Sequence, residues 1–154
     1  MTPAATNEGV FRCLKDRPEA KRGETPLKRP DDPEKDYYYE AGAHPEVVAR
    51  LWDQIGKTLP ADCRALVFGT PVLAHPDSGV ILAFALGTEY VLRLPRRLWR
   101  DERPAGLRTV AKWTFGGSTD ITRECGQEWI FGSFAPDEIG WCAEMFRECV
   151  DDAG

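Results

Sequence analysis

The chain has 154 residues, 42% of them hydrophobic, and a formal net charge of −5 with a pI of about 5.1. That length makes one domain the default, and the acidic balance disfavours general binding to a phosphate backbone. The longest apolar run, Val80 to Leu86, falls short of the roughly 18 residues needed to span a bilayer.

Taken in order, the opening MTPAATNEGVFRCLKDR has no basic segment followed by an apolar one. No secretory signal is therefore expected, and the chain is placed in the cytoplasm. Cys13, Cys63, Cys125, Cys142 and Cys149 are an odd set without an export signal. They predict reduced thiols rather than a disulfide framework. Residues 1–43 read as a charged, proline-rich arm. Arg12 to Asp36 is mixed in sign and is broken by Pro18, Pro26, Pro30 and Pro33. Such a composition buries too little apolar area to offset ordering entropy. The expectation is an arm with few regular elements, laid along the domain or a partner. Tyr37, Tyr38 and Tyr39 are its candidate anchors, since their rings can lie flat on a surface.

Residues 44–154 read as one α+β domain. A helix begins at His44-Pro45, where proline suits the first helical position. Val47, Val48, Leu51, Trp52 and Ile55 recur at helical spacing, so the Trp52 face is expected on a sheet. Gly56 weakens its end and Leu59-Pro60 stops it. Ala65 to Ala74 reads as one β run. Gly69 and Pro71 within it predict an edge strand or a bulge near Gly69. His75 to Gly79 has the residue types of a turn. Val80 to Leu86 is apolar throughout, as a strand covered on both faces would be. Gly87-Thr88 predicts a type II′ hairpin. Glu89 to Leu94 alternates, with Tyr90, Leu92 and Leu94 on one face and Glu89, Val91 and Arg93 on the other. Further strands are expected over 107–115, where a helical turn from Leu107 to Trp113 is the alternative, and over 121–123 and 127–134. A final helix starts at Pro136, with Ile139, Cys142, Met145, Phe146 and Cys149 as its apolar stripe and residues 151–154 fraying. The whole predicts a mainly antiparallel sheet of four or five strands, packed by an N-terminal and a C-terminal helix.

The chemistry-bearing residues are sparse. Cys142 and Cys149 stand two helical turns apart, about 10 Å, too far for one disulfide or one metal ion. They read as buried small hydrophobes. His44 and His75 each precede a proline, and no CxxC, HxxxH or HExxH spacing is present, so no metal and no cofactor is expected. Gly116-Gly117 matches neither GxGxxG nor a P-loop. No catalytic residue is assigned. The one charge concentration is Arg93, Arg96, Arg97, Arg100, Arg103 and Arg108, with Trp99 among them. Arginine interleaved with an aromatic suits an anionic group. Arg96, Arg97, Trp99 and Arg100 are therefore the candidate binding residues, beside the three tyrosines.

The order helix, strand ending Val67-Phe68-Gly69, and hairpin ending Tyr90-Val91-Leu92-Arg93-Leu94-Pro95 is followed by Trp129-Ile130-Phe131 and a Trp141-containing helix. This order resembles the TfoX N-terminal-like domains, small α+β proteins linked to competence regulation. The resemblance covers about residues 46–148. Those domains show Phe-Gly-Gly after the first strand, whereas Thr70 stands at the second glycine here. No functional residue carries over.

Two functions follow as expectations. The first is a non-enzymatic cytosolic binding or regulatory module for another protein, of the immunity or inhibitor kind, with nucleic acid and membrane disfavoured and a homodimer compatible. The second is a small-molecule or nucleotide-binding domain or enzyme. It would use the Arg93 to Arg108 cluster with Trp113 or Trp129, and it fails if those tryptophans are closed in the core.

Overall fold

The computed structural model describes residues 3–16, 20–23, 43–94, 108–109, 129–132 and 136–153. Three layers result. An antiparallel sheet lies between one helix on its first face and two helical segments on its second.

The helix α2 (Pro45–Ala49) starts where proline and a cap predict it. The His44 ring Nδ1 accepts the Glu46 N–H at 3.2 Å, which satisfies one of the orphan donors of the first turn. The helix continues as a π-helical segment, Arg50–Ile55, closed by the Gly56 N–H bonding the Leu51 carbonyl at 2.9 Å. The indole N–H of Trp52 donates to the Val72 carbonyl at 3.1 Å, so the Trp52 face lies on the sheet as expected.

The run 65–74 is two strands and not one. β1 (Arg64–Val67) turns through Phe68-Gly69 into β2 (Thr70–Ala74), with Val67 opposite Thr70. Phe68 has φ 47° and Gly69 φ 85°. Positive φ at both central residues is what a type I′ hairpin needs. The sequence reading misses it because phenylalanine seldom takes that conformation. Pro71 then sits in a strand flanked on both sides. Pro71 stands opposite Leu66 on β1, and the β2–β3 pairing starts one residue later, at Val72 opposite Phe84, so the absent N–H of Pro71 interrupts no β2–β3 pair.

β3 (Ile81–Leu86) is central and all but its last residue is buried. A bulge places Ala74 opposite Ile81 and Leu73 opposite Ala83, which turns Leu82 and Ala83 toward the same core. Gly87, at φ 60°, and Thr88 form the expected hairpin into β4 (Glu89–Arg93). Only the first of these two residues has positive φ, as type II′ requires. β5 (Arg108–Thr109) and β6 (Trp129–Gly132) complete the order β1-β2-β3-β4-β6-β5. Five strands of four to six residues carry the sheet, and β5 adds two residues at one edge. The other residues of 107–115, and all of 121–123, lie outside the described set.

The final helix, α3 (Pro136–Ala153), buries its whole predicted stripe. It extends past the expected fraying point at Asp151. Together with α2 and the π segment it covers one face of the sheet through Leu51, Trp52, Met145, Phe146, Leu82 and Leu92.

The other face is covered by a helix the sequence reading does not assign. α1 (Pro3–Asp16) lies within the charged arm and buries Val10, Cys13 and Leu14 against Val67, Phe84 and Val91. Asn7 is only 5% exposed. Its amide donates to the Gly79 carbonyl and accepts the Ile81 N–H, both at 2.8 Å. One side chain thereby supplies both halves of a backbone-like pairing to the turn after β2. Composition averaged over the arm hides this, because the mixed charges of α1 sit on its outer face and its inner face is apolar.

Candidate docking groove

One concave surface lined by charged side chains lies at the junction of two elements. The turn after the π segment brings Lys57 and Thr58 beside α3. There Glu144, Arg147 and Glu148 form the opposite wall and Gly140 leaves the floor open. The groove holds about 450 Å³. Glu144 and Arg147 are exposed and Glu148 is half-buried. A Cβ built on Gly140 meets nothing within 4 Å. Gly140→Ala is therefore expected to stabilise the helix by about 1 kcal/mol, seen as a raised melting temperature. Ile55, the last residue of the π segment, forms the apolar base.

Helical geometry explains the arrangement. The stripe Ile139, Cys142, Met145, Phe146 and Cys149 binds α3 to the core, so residues 140, 144 and 147 must project outward. The sequence carries this amphipathic pattern plainly. It carries no signal that the outer face meets Lys57 and Thr58, which are more than 80 residues away along the chain.

The candidates named from sequence fare differently. Tyr37, Tyr38, Tyr39, Arg96, Arg97, Trp99 and Arg100 lie outside the described residues, as does Trp113. Arg93 and Trp129 are described, and both are buried, at 8% and 3% exposure. They face each other across β4 and β6. The Trp129 ring packs on Phe84 with centroids 5.5 Å apart, so it is core and is not presented to a ligand ring.

Both histidines and the described thiols have structural uses. The His75 ring Nδ1 accepts the N–H groups of Asp77 and Ser78, each at 3.1 Å, and so shapes the turn after β2. Cys13, Cys63, Cys142 and Cys149 are buried thiols outside any disulfide. The Cys142 thiol points at the Tyr90 hydroxyl at 4.0 Å, within the core. Burial pushes the Cys149 thiol from 9.0 up to about 12, with the carboxylates of Asp152 and Glu148 adding to the shift. A thiol held protonated is a poor nucleophile. The unfolded chain loses this proton near pH 9 and the folded chain near pH 12. Stability from Cys149 is thus fully present below pH 9 and is lost as pH rises through that window. In urea titrations between neutrality and pH 11, Cys149→Ala should show a shallower alkaline loss than the parent chain.

Among the described residues no group of three or more His, Cys, Asp or Glu side chains could hold a metal ion. Among them also, no helix is long and apolar enough to cross a membrane. No protein-family model, curated protein or solved structure matches the chain.

Proposed function

We propose that this chain is a non-catalytic binding module whose ligand is another protein, engaged at the groove between Lys57-Thr58 and α3. The observation that carries the reading is the wall of alternating charge there, in which Lys57 and Arg147 stand among Glu144 and Glu148. Mixed charge on a shaped surface favours partner choice and register more than raw affinity. Both histidines and the described thiols serve turns, a cap and the core, and this supports binding over chemistry. The net charge of −5 suits a basic partner, as an immunity or inhibitor protein would have. The element order that resembles TfoX N-terminal-like domains supports a regulatory role, and the opening residues, without a secretory pattern, suit the cytoplasm.

The test is capture with the immobilised full chain, then titration of the captured protein against wild type and Glu144→Lys/Glu148→Lys. Glu144 is exposed and Glu148 half-exposed, and lysine is a good helix former at both. The expected result is a basic protein whose affinity falls at least about tenfold on the double reversal. Equal affinity for the two chains would remove the groove from the interface, and failure to capture any protein would remove the module reading.

A further inference from the structure

We infer that α1 is a strap that opens and recloses over the sheet while the rest of the fold stays intact. It is pinned at both ends of β2, to two different turns. At its start, the Asn7 amide clamps Gly79 and Ile81 in the turn after β2. Toward its end, three contacts converge on Phe68, in the turn before β2. The Phe11 ring meets Phe68 edge-on with centroids 6.4 Å apart, and Lys15 Nζ lies 5.7 Å from the Phe68 ring. Just after the helix, the Lys21 N–H donates to the Phe68 carbonyl at 2.9 Å.

Between the pins, Val10, Cys13 and Leu14 are the fully buried apolar residues of the helix. The opposite face of the same sheet is held by two helices, and α2 and its π continuation are joined directly to the chain that enters β1. An element with a short apolar stripe and point-like latches belongs to the low-stability end of a structure and opens below the global unfolding free energy. The second pin also carries strain. Phe68 is a bulky residue at positive φ, and such a conformation persists only where its surroundings hold it. Its ring is held by α1. Release of the strap therefore frees the β1–β2 turn to relax and uncovers the face that bears Phe84 and Val91. This inference concerns opening alone and stands whether or not the groove binds a protein.

The buried cysteines report it directly. Cys13 is on the buried face of α1, whereas Cys142 and Cys149 are on the buried face of α3, against the other side of the sheet. The full chain is exposed to N-ethylmaleimide in native buffer and labelling is followed residue by residue by mass spectrometry. Cys13 should react at least about tenfold faster than Cys142. Asn7→Ala should speed Cys13 by a further tenfold or so and leave Cys142 unchanged. Lys15→Ala, a milder change at the other pin, should move Cys13 in the same direction. Equal rates for Cys13 and Cys142 in the wild-type chain, or a joint acceleration of both in the variants, would show that α1 opens only with global unfolding and would overturn the inference.

Discussion

Phe84→Ala should lower the free energy of unfolding by about 3–5 kcal/mol. The ring is fully buried at the centre of the sheet, on the face that α1 covers. Val72 and Val91 stand opposite it on the neighbouring strands, and Trp129 packs beside it at 5.5 Å. Two β-branched neighbours and an indole locked in the core have little freedom to collapse into the space, so the cost should sit high in that range. Urea denaturation measures it as a lower midpoint at an unchanged slope. A loss below about 1 kcal/mol would mean that this face is open to solvent, since an exposed truncation costs little.

Gly56→Ala should destabilise by about 1–3 kcal/mol, against the general helix preference for alanine. The residue has φ −90°, which any residue adopts, so space decides the sign. A Cβ there would lie 2.5 Å from Leu73 Cδ1 and 3.1 Å from the Leu51 carbonyl oxygen. Leu73 is 1% exposed and has nowhere to go. The check is a double-mutant cycle. Leu73→Ala alone leaves a cavity and costs about 2–5 kcal/mol, but in its presence Gly56→Ala should cost at least about 1 kcal/mol less. Additive losses would assign the effect to the backbone and not to this contact. Gly140 makes the contrast: it lies inside a helix with open space around it, and alanine there should stabilise.

Where a pattern repeats over neighbouring residues, the sequence predicts the structure well. The α3 stripe, the Glu89–Leu94 alternation and the Gly87-Thr88 turn are short-range signals, each with one physical solution. The β1–β2 hairpin is not legible in this way. Its turn relies on Phe68 at positive φ, and the ring contacts that hold it come from α1, more than 50 residues earlier. The helix α1 is misread for a related reason. Its apolar residues are few, and their worth depends on a sheet face waiting for them and on an amide clamp between Asn7 and residues 79 and 81. The groove is hidden likewise, because Lys57 and α3 approach only after both have docked on the sheet.

The sequence by itself therefore determined the fold class, the antiparallel sheet, the core stripe of α3 and the structural character of Cys142 and Cys149. The tertiary structure alone decided that α1 is what covers the second face of the sheet, that Arg93 and Trp129 are withdrawn from the surface, and that charges from two distant segments share one groove. Periodicity is a property of neighbouring residues and survives in one dimension. Burial, clamps and grooves depend on which faces meet, and the packed chain alone fixes those meetings.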